Sequence, residues 1–192
     1  MHAAPDKGGG DGDLNPDWPA PPTMRDAAVL VPLVERPGGL TVLLTLRAPH
    51  LFDHGGQIAF PGGRIEPGDR DVVDTALRET EEETGIARAF VTPVGRLGAY
   101  VTGSAWRIFP VVGVLSVGFS ATVNPDEVTE IFEVPLPFLL DAANRQLRTG
   151  TWQGRTRRFY AMAYGGYTIW GATAGILVAL ADRLTGANAP TR

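Results

Sequence analysis

The run Arg78-Glu79-Thr80-Glu81-Glu82-Glu83-Thr84-Gly85 constrains this chain more than any other stretch. Its spacing predicts a short helix that ends at Gly85. Glu79 and Glu83 are four apart, and Glu79 and Glu82 three apart. Both spacings place carboxylates on one helix face, roughly 5–6 Å apart at Cβ. Like charges at that distance repel, so as plain surface the arrangement is mildly destabilising. A divalent cation between them would reverse the sign. Mg²⁺ takes oxygen ligands and is commonly shared between one or two carboxylates and substrate phosphates. The alternative is a solvated acidic face.

The residues before the run say where the helix starts. Asp71, or Asp69 just before it, can cap free backbone N–H groups, and Asp74 lies in the first turn, where negative charge is favourable. Val72, Val73, Ala76, Leu77 and Thr80 form the apolar stripe. The glutamates then occupy the last two turns, against the helix dipole. That placement is poor for structure and points to chemistry.

The remaining pattern is mixed. Residues 27–34 and 40–47 read as strands of a hairpin turning at 36–39, and residues 57–60 as a short strand entering the tight loop Pro61-Gly62-Gly63. Further strands are expected at 90–100, 106–117 and 128–134. A helix is expected from 135 to about 144, a hairpin from 147–152 and 155–164, and an amphipathic helix from 168 to 184. Strands interrupted by helices give an α/β class, in the form of an α/β/α sandwich with a mixed β-sheet between helices. One domain is expected over residues 24–185. Residues 1–23, rich in Gly, Pro and Asp, read as a flexible N-terminal tail, and 186–192 as a C-terminal tail.

Composition excludes several chemistries. Without cysteine there is no thiol nucleophile or Cys-ligated zinc, and His2, His50 and His54 lack the spacing of a zinc-protease helix. The net charge of -4 argues against nucleic acid as a partner. No apolar run has the roughly 18 residues of a membrane span and no signal peptide is evident, so no membrane is involved and a cytoplasmic location is expected.

Gly63-Arg64-Ile65-Glu66-Pro67-Gly68-Asp69, followed by residues 78–86, resembles the Nudix box: a glycine, five residues, an acid, about seven residues, then Arg-Glu-x-x-Glu-Glu-x-Gly and an aliphatic residue. Three positions differ from that pattern. The first acid is Asp69, eight residues separate it from Arg78, and Thr80 stands where an aliphatic residue is usual. A second pattern, residues 43–48 with Gly56-Gln57-Ile58-Ala59-Phe60-Pro61-Gly62-Gly63, is similar to the coenzyme A pyrophosphatase branch of that family. So is Ile169-Trp170-Gly171-Ala172-Thr173-Ala174. That branch usually carries an arginine where Phe52 stands here.

The resemblance implies a metal-dependent pyrophosphatase that hydrolyses the diphosphate of coenzyme A or its thioesters to adenosine 3′,5′-bisphosphate and 4′-phosphopantetheine or its acyl form. Rival readings are a Nudix hydrolase of ADP-ribose, NADH or modified nucleoside triphosphates, and a non-catalytic nucleotide-binding module. Glu79 and Glu83 are the expected ligands of Mg²⁺ or Mn²⁺, and Glu82 is a third ligand or the base. Arg78 either binds phosphate or orients a neighbouring glutamate. Glu127 and Glu130 are further candidates for the base. Arg47, Gly62 and Gly63 are expected to meet the substrate, a small nucleotide. Trp106, Trp152, Tyr160 and Tyr164 are candidates for stacking on adenine, His50 and His54 for touching substrate, while Glu81 should be solvated and Trp170 structural. The sequence does not fix the oligomeric state; the resemblance allows a homodimer, since Nudix proteins often dimerise.

Overall fold

The computed structural model describes residues 8–19 and 21–186. In chain order the elements are β1 (Gly9–Gly10), α1 (Asp11–Leu14), β2 (Arg25–Arg36), β3 (Gly39–Arg47), β4 (Ile58–Ala59), β5 (Gly62–Arg64), α2 (Val72–Thr84), β6 (Val91–Arg96), β7 (Tyr100–Val101), β8 (Trp106–Leu115), β9 (Val128–Pro135), α3 (Leu136–Leu140), β10 (Gln146–Trp152), β11 (Arg155–Tyr164), β12 (Tyr167–Trp170) and α4 (Gly171–Thr185). Short 3-10 turns, Arg88–Phe90 and Ala142–Asn144, precede β6 and β10.

β2 is apolar almost throughout because both of its faces are covered. It pairs antiparallel with β3 and parallel with β8, from Arg25↔Trp106 to Val34↔Leu115. Its pleat divides the core. Ala28, Leu30 and Val34 face Ala76 of α2 together with Ile86. Val31 and Leu33 face Ile176, Leu177 and Leu180 of α4, with Leu139 of α3 on the same side. The result is the expected mixed sheet between helix layers. Each such side chain, fully buried, stabilises by about 1.5–3 kcal/mol, so Leu30→Ala would cost about 2–5 kcal/mol.

The structure departs from the sequence reading at several elements. A second, three-stranded antiparallel sheet, β10-β11-β12, packs on the α4 side. Its third strand takes residues 167–170, of which 168–170 were expected to open the last helix. Gly165 and Gly166, at φ +56° and +88°, make the turn that folds Tyr167 back onto Tyr164. Trp170 is therefore a strand residue. The helix expected from 135 to 144 stops at Leu140, because the Asp141 carboxylate accepts from the Ala143 N–H and starts a new turn. The strand expected at 90–100 breaks at Arg96, after an irregular register at Pro93–Gly95.

Residues 8–19 form an N-terminal segment, expected as part of a flexible tail, that lies docked on the domain. Polar anchors hold it in place of apolar area. The buried Asp11 carboxylate accepts from Tyr100 Oη, Gly103 N and Arg157 Nη2, each at 2.9 Å. Asn15 bonds both the carbonyl (3.0 Å) and the N–H (2.8 Å) of Arg158, as a neighbouring strand would. Trp18 stacks on Trp152 at 5.4 Å. The tails at 1–7 and 187–192 lie outside the described residues.

Candidate active site

Helix α2 begins where its capping chemistry places it. The Asp71 carboxylate accepts from the N–H groups of Val73 (2.8 Å) and Asp74 (2.9 Å). Gly85, left-handed, closes it. Thr80, in a position where an aliphatic residue would serve, is buried because its hydroxyl donates to the Ala76 carbonyl at 2.6 Å. β5 pairs with β2 and so lays Gly62 and Gly63 against the last turns of α2.

Glu83 is 2% exposed. Its Oε2 accepts from the Gly62 N–H at 3.1 Å, and its Oε1 lies 3.5 Å from Arg47 Nη1. Burial pushes its pKa up to about 8; Gly62 and Arg47 oppose this, while Glu127 and Glu79 reinforce it. Glu79 is also raised, first by burial, with Arg78 opposing and Glu82 and Glu127 adding. The Glu79 carboxylate sits directly on the Gly63 backbone. Glu82 is half exposed. Glu81 turns away from the group, as expected, but pairs with Arg88 at 3.3 Å and is not simply solvated.

Arg78 ties these groups together. Its guanidinium meets Asp69 twice, at 2.8 and 3.0 Å, and Glu79 and Glu82 at 3.0 Å each, and it donates to the Arg64 carbonyl at 3.2 Å. With every direction of its fork occupied, it orients glutamates and has none left for a phosphate. Asp69 thus finds its use as the bidentate partner of Arg78, which holds its carboxyl far below the usual carboxylate range.

The two candidate bases separate. The loop before β9 is tied to α2 by Thr122 N–H to the Thr84 carbonyl (2.7 Å) and Asn124 N–H to the Glu83 carbonyl (2.9 Å). That brings Glu127 within electrostatic reach of Glu79 and Glu83. Glu130 is not brought to the site. It accepts from the Tyr167 hydroxyl, and Tyr167 stacks on Phe132, on the α4 side of the sheet. Strand alternation explains this: positions 130 and 132 share one face, whereas Ile131 faces α2.

A cleft of about 580 Å³ opens beside the glutamates. Arg47, Gly62 and Gly63 line it, as do Trp106, Trp152, Trp170 and Arg157. The Arg47 Nε is buried without a hydrogen-bond partner. His54 lines the cleft with its Nδ1 on Gln57 Oε1 at 3.1 Å, whereas His50 contacts the Asp126 carbonyl at 3.1 Å outside it. Tyr160 and Tyr164 are absent from the cleft; Tyr164 packs on Phe138. Sequence reasoning did not single out Arg157 or Asp11 and read Trp170 as structural; Arg157 and Trp170 both line the cleft. The one sign of the N-terminal anchor was an aromatic, Trp18, inside a polar Gly/Pro-rich run.

The donor set suits a hard divalent cation. It is all oxygen, and the buried Glu83 carboxyl faces two further acids whose repulsion a cation would relieve. Among the described residues, no three acidic or histidine side chains converge into a ready-made cage. Arg78 holds Glu79 and Glu82, while Glu83 is turned to Gly62 and Arg47.

A family model for the NUDIX domain matches residues 24–153. An uncharacterized Nudix hydrolase, NudL, of Photorhabdus laumondii is 40% identical over 160 residues, covering 83% of this chain and 85% of that protein. NudL of Yersinia pestis is 39% identical over 163 residues, covering 85% and 81%. Among solved structures, the Nudix hydrolase RenU of M. smegmatis superposes with a TM-score of 0.55 at 18% identity, covering 88% of this chain and 90% of that one. No helix among the described residues is long and apolar enough to cross a membrane.

Proposed function

This chain belongs to the Nudix family, as a hydrolase of pyrophosphate bonds, and from that premise we propose that it cleaves the diphosphate of coenzyme A or its thioesters. One observation carries the choice of substrate. The two segments that resemble the coenzyme A branch meet across one cleft. Thr173 Oγ1 donates to the Ile58 carbonyl at 3.0 Å although the two are 115 residues apart in sequence. Gln57, Phe60, Gly62 and Gly63 from one segment and Trp170, Gly171 and Ala172 from the other line the same space.

Glu79 and Glu83, with Glu82, would hold Mg²⁺ or Mn²⁺. Bound there, the ion supplies a lowered pKa for water and neutralises charge developing on phosphoryl oxygens. The chain's own groups do the rest. Arg78 fixes Glu79 and Glu82 in place. Arg47, charged and with an unused buried N–H, meets a substrate phosphate. Glu127 takes the proton from the attacking water, because its carboxylate shares the site and Glu130's does not.

The test is product analysis with Mg²⁺ and with Mn²⁺ across coenzyme A, acetyl-coenzyme A, ADP-ribose, NADH and a modified nucleoside triphosphate. Adenosine 3′,5′-bisphosphate should be the main nucleotide product from the first two. Faster turnover of ADP-ribose than of coenzyme A would refute the substrate assignment. Glu79→Gln and Glu83→Gln should remove most turnover with the fold intact; a non-catalytic module would keep its function.

A further inference from the structure

The cleft is finished by a segment that the family match leaves out. Asp11 lies before residue 24, where that match begins. It is buried, and its carboxylate takes three donors, one of them Arg157 Nη2. Arg157 lines the cleft, is mostly buried, and its Nε has no hydrogen-bond partner. Beside it stand Trp152 and Trp170. Trp18, from the same segment as Asp11, stacks on Trp152, and Arg25 lies over Trp106 at 4.1 Å. Trp152 and Trp106 therefore each have one face covered from within the protein.

A guanidinium among flat aromatic rings suits an aromatic base that carries an anionic group. Of the two halves of a coenzyme A-type diphosphate, only the nucleoside half has both a base and a phosphomonoester. The pantetheine arm is neutral and has no ring. We propose that Arg157, set in place by Asp11, binds the phosphomonoester on the ribose of the nucleoside half, at the tryptophan-lined wall of the cleft. Asp11 is a positioning residue here: it fixes one edge of the guanidinium and leaves the rest for the ligand. This rests on the coenzyme A reading, but it concerns binding and is tested without turnover.

The experiment uses the full chain and tryptophan fluorescence, with adenosine 3′,5′-bisphosphate and adenosine 5′-monophosphate as probes. The bisphosphate should bind at least about tenfold tighter, the loss expected from one charge-assisted contact. Arg157→Gln should abolish that preference by weakening the bisphosphate more than the monophosphate. Asp11→Asn should weaken the preference, and Arg157→Lys should retain part of it, which keeps the test decisive should either of the others fail to fold. Equal affinities in the wild type would overturn the proposal, as would an Arg157→Gln variant that weakens both probes alike. A wild type that prefers the bisphosphate yet leaves coenzyme A intact would sustain this subsite and refute the substrate reading alone.

Discussion

Adjacent glycines at the site should fail in opposite ways when replaced by alanine. At Gly63 an added Cβ would lie 2.5 Å from the Glu79 carboxyl carbon and Oε1 and 2.6 Å from its Oε2. The nearest ordinary contact is about 3.4 Å, so the carboxylate must retreat by about 0.9 Å, a misplacement of the size that costs about a hundredfold in rate. Only the end of a flexible side chain has to move, so stability should change by less than about 1 kcal/mol. At Gly62 the obstacles are backbone: Ala28 O and Val29 Cα, both at 2.5 Å. Its φ of +152° is also one that L-residues avoid. Strain and overpacking together should cost about 3 kcal/mol or more, a fall in melting temperature of about 6–12 °C for a domain of this size. Thermal unfolding of both variants, with the rate of adenosine 3′,5′-bisphosphate formation from coenzyme A at saturating Mn²⁺, reads the two effects separately. A Gly63→Ala protein that turns over like wild type would refute the seating of Glu79 on the Gly63 backbone. Equal destabilisation by both substitutions would refute the distinction between them.

Three further outcomes follow from the same geometry. Arg78→Lys loses the fork that grips Asp69 and should cost about 3 kcal/mol, seen in urea unfolding, besides loosening Glu79 and Glu82; an unchanged midpoint would contradict the tie. The Asp69 carboxyl is depressed in the folded state, so its contribution is complete above its unfolded pKa near 3.8 and is lost as pH falls through the folded value. The stability gap between wild type and Asp69→Asn should therefore hold steady from about pH 7 to 5 and shrink below about pH 4; a gap that grows in acid would reverse the assignment. Glu127→Gln should lower kcat by about a hundredfold or more, in the usual range for a general base, while Glu130→Gln should leave it within about twofold; the reverse ranking would move the base to β9.

The helix, its start and its stop could be read from the sequence because capping is local. The hairpin of β2 and β3 was equally legible. What escaped depends on contacts far apart in the chain. The use of Arg78 on Asp69 required knowing how the intervening loop folds back. Glu127 and Glu130 look alike in sequence, and only the pleat of β9 tells them apart. Composition does not reveal the contacts of residues 8–19, because apolar content measures one means of anchoring, and Asp11 and Asn15 use another. Trp170 was assigned to a helix because an apolar run of that length does not reveal whether its first residues pair with a strand.

The parallel ladder between β2 and β8 bears on how the molecule is born. Asp26 and Arg107, neighbours across that ladder, are 81 positions apart, and α2 lies in the stretch between them. A chain emerging from the ribosome makes its glutamates long before β8 exists to complete the platform beneath them. Closing so long a loop is slow, so during synthesis those acids stand in water with ordinary affinities. The nascent polypeptide should acquire hydrolytic competence late, only after Glu127 and the cleft-lining residues through Ala172 have cleared the exit tunnel.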